Sequence, residues 1–153
     1  VTHNPVQMVL NLYIISFCCI KYELQPFTLT SFLVLMTLYF PALIWEIARK
    51  IRAPKDETEY TTYSKLFGHK KSTIFILILT LVDIVTNLLL VYRLNMIGFV
   101  ILIINVAVMT IQFIMFIKNP ERFKLVTRVE IYTYITEATM LLIIPAYMIF
   151  GRI

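Results

Sequence analysis

Residues 32–85 read FLVLMTLYFPALIWEIARKIRAPKDETEYTTYSKLFGHKKSTIFILILTLVDIV, and this stretch decides the fold. An apolar run (32–44) gives way at Trp45 to a dense segment that carries both signs of charge, and a second apolar run (74–85) follows. The whole chain is 59% hydrophobic and 15% charged, with a mean hydropathy of +0.82, whereas soluble domains average about 25% charged residues. The pattern indicates an all-α, polytopic membrane protein, a bundle of transmembrane helices joined by polar loops.

Apolar runs of helical length predict about five spans. A bilayer core about 30 Å thick requires about 20 helical residues, and all but the first run reach that length. The first run is shorter and the chain begins with Val rather than Met, so we interpret the chain as a fragment of a longer polypeptide. The predicted spans are residues 6–20, 27–48, 72–92, 94–117 and 129–150, in a single transmembrane domain that covers residues 1–153.

The positive charge of the chain is concentrated in two loops. Residues 49–71 and 118–128 together hold eleven of the 14 Lys and Arg residues, and the positive-inside rule therefore predicts that both loops are cytoplasmic. This topology explains the net charge of +5 without a nucleic-acid partner. In the second loop, Asn119 is predicted to cap a helix that begins at Pro120, and basic residues could contact the headgroups of membrane lipids.

The loop 49–71 combines groups that suit a phosphorylated ligand. If the second span continues as a helix to Ala53, where Pro54 would end it, then Glu46, Arg49 and Lys50 share one helix face. Carboxylates hold Mg²⁺ through their oxygens, and Arg and Lys bind phosphate oxygens. The alternative is that these charges serve only to fix the topology of the loop.

The order of residues in the loop resembles the second signature of the UbiA superfamily of intramembrane prenyltransferases. That signature commonly reads R-E-I-x-K-D-I-x-D-x-x-x-D and is followed by a closing element such as K-S-T-A-x-x-F-G. Here W-E-I-A-R-K-I-R-A-P-K-D-E fits the signature without a gap, and T-T-Y-S-K-L-F-G fits the closing element with a spacing two residues shorter. The matching positions are Glu46, Ile47, Arg49, Ile51, Glu57, Ser64, Phe67 and Gly68. Lys50 and Ala53 stand where the family has its first two aspartates.

The resemblance implies a fold, an activity and partners. The UbiA fold has nine transmembrane helices, and this chain would form the second half of it, with the missing N-terminal half of the same polypeptide as its partner. The activity implied is transfer of an isoprenyl group from an allylic polyprenyl diphosphate to an aromatic or other lipophilic acceptor, with Mg²⁺ as the cofactor. The exchange of two aspartates for Lys50 and Ala53 replaces a carboxylate–metal–phosphate bridge with a direct ammonium–phosphate contact.

The resemblance also implies roles for individual residues. Catalysis is assigned to Arg49, Lys50 and Asp83. Diphosphate binding is assigned to Arg49, Lys50, Arg52, Tyr63 and Lys65. The candidate metal ligands are Glu46, Asp56 and Glu57, although Glu46 is also well placed to orient the two cations that follow it.

Polar residues inside the predicted spans suggest either a lined cavity or hydrogen bonds between helices. Asp83 shares a helix face with Thr80 and Asn87, and a carboxylate at the bilayer centre costs about 3 kcal/mol on insertion scales. Two further polar stripes pair Asn105 with Gln112 and Thr133 with Glu137.

Two other functions stay open at this point. One is a transporter or channel fragment in which Asp83 and Glu137 bind protons or cations. The other is a non-catalytic member of the UbiA fold, which Lys50 and Ala53 would explain through the loss of metal ligands.

Overall fold

A computed structural model describes residues 3–92 and 94–151, with side chains from residue 5 onward, and Arg93 lies outside the described residues. Within these residues the chain is predominantly helical and contains no strand. The helices are α1 (His3–Lys21), α2 (Leu29–Ala48), α3 (Tyr63–Phe67), α4 (His69–Val91), α5 (Met96–Lys118) and α6 (Leu125–Phe150), and a 3₁₀ turn (Pro54–Asp56) lies between α2 and α3.

Four of the helices, α2, α4, α5 and α6, are long and apolar enough to cross a membrane. Their mean hydropathies run from 1.4 to 2.7, and their outward faces expose large apolar side chains, as expected when lipid rather than water surrounds the bundle. The prediction of an all-α membrane protein is confirmed at this level. The first predicted span forms the helix α1, but its apolar part, Pro5–Lys21, is shorter than the other four.

The ends of the helices follow local capping chemistry. The Thr28 side chain accepts a hydrogen bond from the backbone N–H of Ser31 at the start of α2, and Asn95 does the same for Gly98 at the start of α5. Gly68 separates α3 from α4 with a φ of +81°. Residues with a Cβ rarely adopt this left-handed conformation, so a glycine is required here for the chain to re-enter the membrane directly after α3.

Two predicted helix boundaries are wrong. The helix α2 ends at Ala48 rather than Ala53, and α6 begins at Leu125 rather than at Pro120. The backbone N–H of Asn119 donates to the carbonyl of Met115, so Asn119 ends α5 instead of starting the next helix. Residues 120–123 form a turn and bends that lead into α6.

The core lies where α2, α4, α5 and α6 meet. α2 packs against α4 and α6, α4 against α5, α5 against α6, and α1 packs on the outside against α2. The larger buried cluster lies toward the end of the bundle that carries the loop 49–62, and it includes Ile44, Ile76, Met109, Phe113, Phe116, Val129 and Tyr132. A smaller cluster of Ile84, Val91, Leu102 and Ile143 fills the other end. The arrangement fixes the end of α2 and the beginning of α6 side by side.

Candidate functional site

An open cavity of about 1090 Å³ lies between the end of α2, the loop that follows it and the beginning of α6. Its polar wall consists of Glu46, Arg49, Lys50, Arg52, Asp56, Lys124 and Glu130. Its aromatic wall consists of Trp45, Tyr60, Phe116 and Phe123. The cavity therefore combines an excess of positive charge with a large apolar surface at one end of the helical bundle.

Glu46 holds two of the cations in place. Its carboxylate lies 3.2 Å from Lys50 Nζ and 3.9 Å from Arg49 Nη1. The hydrogen bond that Lys50 donates to Glu46, together with the negative charge of Glu46, raises the pKa of Lys50 above its usual value despite some desolvation. The Arg49 guanidinium lies 4.7 Å from the centre of the Trp45 ring, within the range of a cation–π contact. Both cations are therefore oriented before any ligand binds.

The backbone leaves α-helical spacing directly after Ala48, at the residues that carry these cations. The backbone N–H of Lys50 donates to Ile47 O and that of Ile51 to Ala48 O, which is the tighter spacing of a 3₁₀ turn. The returning loop then supplies a donor to the helix end, because the N–H of Tyr63 lies 2.8 Å from the carbonyl of Lys50. This contact satisfies a carbonyl that would otherwise lack a partner at the helix C-terminus.

Glu57 fastens the loop internally. Its carboxylate accepts hydrogen bonds from the hydroxyls of Thr62, at 2.6 Å, and Ser64. Ser64 Oγ in turn accepts from the backbone N–H of Arg52 at 2.8 Å. Thr62 also caps α3 by accepting from the N–H of Lys65. Glu57 thus holds both ends of the loop 52–64 together, and it is not part of the cavity wall.

The structure brings together five of the predicted site residues in this cavity, namely Glu46, Arg49, Lys50, Arg52 and Asp56. Lys65 lies outside the cavity wall, and its ammonium donates to the carbonyl of Thr58. Tyr63 lines a separate, mainly apolar cavity of about 540 Å³ with Phe67, Lys71 and Phe75. The centre of the Tyr63 ring still lies 5.8 Å from Lys50 Nζ, so the ring makes a cation–π contact with Lys50 without lining the cavity.

The sequence reasoning missed the second wall of the cavity, which α6 and the loop before it provide. Phe123, Lys124 and Glu130 all line the cavity. Lys55 in the first loop lies 3.7 Å from the carboxylate of Glu121 in the second loop. The sequence shows opposite charges in the two loops. It does not show that they are in contact, because residues this far apart in the chain meet only when the helices pack.

The carboxylates near the cavity differ in their freedom to bind a metal. Glu46 is engaged by two cations and Glu57 by two hydroxyls, whereas Asp56 is exposed and has no side-chain partner among the described residues. Over the same residues, no group of three or more His, Cys, Asp or Glu side chains is close enough to hold a metal ion. Since Mg²⁺ often binds through one carboxylate plus substrate phosphates, Asp56 has the chemistry for an ion that arrives with a ligand.

Asp83 lies in a different place, fully buried in the interior among α4, α5 and α6. Tyr132 OH donates to its Oδ2 at 3.0 Å, and Asn87 Nδ2 donates to its Oδ1 at 2.8 Å. Asn105 Nδ2 extends the cluster by donating to the carbonyl of Tyr132 and to Thr136 Oγ1, both at 3.1 Å. We call these five residues (Asp83, Asn87, Asn105, Tyr132 and Thr136) the interior polar cluster.

The other polar residues of the predicted stripes lie apart from this cluster. The Thr80 hydroxyl donates to the carbonyl of Ile76 in its own helix, and Thr133 donates to Glu130 O. Gln112 is half-buried, and Glu137 is exposed on the outer face of α6. Asp83 and Glu137 therefore do not face each other across a common cavity.

Comparison with known proteins yields no relative of this chain: no family model, no curated protein and no solved structure matches it.

Proposed function

We propose that this chain is the C-terminal part of a UbiA-like intramembrane prenyltransferase, with the cavity at the end of α2 as its diphosphate site. The observation that carries the proposal is the cluster of Arg49, Lys50 and Arg52 on one wall of an open cavity at the end of an apolar helical bundle. These residues belong to the stretch that resembles the second UbiA signature. The proposed partners are a polyprenyl diphosphate, a lipophilic acceptor and an N-terminal half of the same polypeptide.

The cations supply what the departure of a diphosphate demands. The allylic C–O bond breaks heterolytically, and the electron pair leaves with the diphosphate, so negative charge accumulates on the leaving group. Arg49 and Lys50, oriented in advance by Glu46, stabilise that charge at no cost of reorganisation. An acceptor carbon then bonds to the allylic carbon and loses a proton.

Lys50 takes the place of a metal-binding aspartate in this scheme. An ammonium group contacts a phosphate oxygen directly, so fewer metal ions are needed to neutralise the same charge. Asp56 is the residue that would hold a Mg²⁺ ion brought in by the diphosphate, and the ion would add further charge neutralisation there. Glu57 serves the loop rather than the ligand, because both of its oxygens are engaged.

The aromatic wall suits the apolar part of such a substrate. Trp45, Phe116 and Phe123 border the cations, and Phe116 also belongs to the buried core. A cavity with charge on one side and aromatic rings on the other matches an amphiphile with an anionic head and a hydrocarbon tail.

The test is release of diphosphate from geranylgeranyl diphosphate by the full-length protein in lipid nanodiscs, with membrane lipid extract as the source of acceptor. Lys50→Gln is expected to reduce kcat/KM about 100-fold, the usual loss when one group that stabilises developing charge is removed. Lys50→Glu is expected to lose more. Lys118→Gln is the matched control, because Lys118 is an exposed cation at the end of α5 outside the cavity wall, and its activity should equal that of the wild type.

Two results would contradict the proposal. Equal activity of the Lys50 and Lys118 variants would show that the cavity is not the site at which diphosphate is released. Tight binding of geranylgeranyl diphosphate without any release would instead identify a non-catalytic member of the fold.

A further inference from the structure

The interior polar cluster contains a carboxyl group at a depth where charge is costly. Asp83 is the fifteenth residue of α4, so it lies about 20 Å along the helix from His69. It has no exposed surface, and the helix around it is the most apolar of the four candidate spans. Neither water nor lipid headgroups reach a side chain in this position.

No cation compensates for a negative charge on Asp83 in the described part of the chain. Its side-chain partners there, Tyr132 and Asn87, are both neutral donors. Over the described residues, the long helices packed against α4 place no charged side chain near Asp83. The charged residues of α2 and α5 are Glu46 and Lys118, and each lies near the end of its helix. The short helix α3 lies beyond the beginning of α4 and carries only Lys65 and Tyr63 as titratable groups.

From α6, the group in contact with Asp83 is Tyr132, by a hydrogen bond. Glu137, also on α6, is acidic and supplies no positive charge. Desolvating an unpaired carboxylate costs several times what two neutral hydrogen bonds return inside a membrane protein. A buried carboxyl in such surroundings takes up a proton instead.

The cluster also offers an acceptor for that proton. A hydroxyl group can donate or accept, so the 3.0 Å contact between Asp83 Oδ2 and Tyr132 OH can run in either direction. With the proton on Oδ2, Asp83 donates to the hydroxyl oxygen of Tyr132, which accepts through a lone pair. Asn87 Nδ2 continues to donate to Oδ1. A neutral Asp83 therefore keeps its contacts to both helices.

We infer that Asp83 is a proton-binding site that is occupied at neutral pH, and that the bound proton stabilises the packed bundle in which Asp83 of α4 meets Tyr132 of α6. The site is separate from the cavity at the end of α2 and does not depend on the function proposed for that cavity. Loss of the proton leaves a buried anion that has two neutral donors and no cation among its described neighbours, so the folded bundle loses stability as the proton is released.

The experiment uses the small number of aspartates in this chain, which are Asp56 and Asp83. Protein labelled with ¹³C at the aspartate side-chain carboxyl is purified in nanodiscs, and its carboxyl resonances are followed by NMR between pH 4 and pH 9. The variants Asp56→Asn and Asp83→Asn assign the signals. Asp56 is exposed and serves as the internal control.

The expected result is an Asp83 resonance at the position of a neutral acid at pH 7. A resonance at the carboxylate position at pH 7 would overturn the inference. Should Asp83→Asn fail to fold, the difference between wild type and Asp56→Asn still assigns both signals, so the outcome does not depend on that variant.

A second readout tests the effect of the proton on the stability of the folded bundle. If the folded protein retains a proton that a free aspartate loses near pH 4 (about 3.9), the unfolding equilibrium constant rises up to tenfold per pH unit between about pH 5 and pH 7. The comparison is made in a Glu137→Gln background, so that only one intramembrane carboxyl titrates. Asp83→Asn should remove this pH dependence, and an identical slope in both proteins would contradict the proposed role.

Discussion

The cavity at the end of α2 and the interior polar cluster are both polar regions of an apolar protein, but they treat charge in opposite ways. In the cavity, Glu46 has two cations within 4 Å and solvent nearby. In the interior, the side-chain partners of Asp83 among the described residues are a phenol and an amide. The difference teaches that depth in the bundle decides which polar chemistry is available. Near the loops, charges persist because water screens them and ion pairs cost little, whereas in the interior neutral hydrogen bonds are favoured.

The largest expected effect comes from placing a charge in the interior polar cluster. Asn105→Asp replaces an amide that donates to both Tyr132 O and Thr136 Oγ1 with a carboxyl group, which donates one hydrogen bond when protonated and none when ionised. We expect a loss of about 3 kcal/mol in the free energy of unfolding at neutral pH, the cost of an acidic residue at the centre of a span. The measurement is reversible unfolding in mixed micelles, and part of the loss should be recovered at acidic pH.

Asn119→Asp makes the same chemical change at an exposed position at the end of α5. It should alter stability by less than about 0.5 kcal/mol. Similar losses at Asn105 and Asn119 would show that depth does not govern the cost of charge in this protein.

A smaller effect is expected from the close packing that surrounds the interior. A Cβ atom added at Gly98 in α5 would lie 2.8 Å from Cγ1 of Ile143 in α6. Gly98→Ala should therefore cost about 1–2 kcal/mol through overpacking, measured by the same unfolding assay. The double variant with Ile143→Ala should lose less than the sum of the two single changes, because the second change opens the space that the first requires. Strict additivity would exclude this contact as the cause.

The smallest effect is expected at the cavity, where water reduces the value of an ion pair. Glu46→Gln removes the partner that raises the pKa of Lys50, so that pKa should fall toward its usual value. The measurement is the pH dependence of amine acetylation at Lys50, followed by mass spectrometry. The accompanying loss of stability should be about 0.3–0.5 kcal/mol.

The sign of this contribution follows from the raised pKa of Lys50. The stabilisation is fully present below about pH 10.4, the usual pKa of lysine, and it is lost as the pH rises through the higher pKa of the folded protein. The stabilisation that comes from protonated Asp83, by contrast, should be lost as the pH rises through a much lower range. A pKa of Lys50 that is unchanged in Glu46→Gln would show that Glu46 does not orient it.

Several features could be predicted from neighbouring residues alone. The spacing of Glu46, Arg49 and Lys50 predicted one shared group of charges, and the salt bridges show that contact. The prediction extended the helix to Ala53, however, because it used only the effect of Pro54 on the residue before it. It could not include the N–H of Tyr63, which reaches the Lys50 carbonyl from thirteen residues away.

The two side-chain partners of Asp83 show the same difference between contacts within one helix and contacts between helices. Asn87 was found by helical periodicity, since residues four apart share a face. Tyr132 lies on another helix, 49 residues further along the chain, and only packing brings its hydroxyl to Asp83. The same holds for Phe123 and Lys124, which line the cavity opposite the first loop.

The sequence by itself determined the helices, their apolar character and the two basic loops, because hydropathy and helical period act through residues a few positions apart. The tertiary structure decided which charges share a cavity, that Glu57 fastens the loop instead of facing a ligand, and that Asp83 is enclosed by neutral donors. Those outcomes depend on side chains that meet only after the helices pack, and local sequence patterns do not specify contacts between residues far apart in the chain.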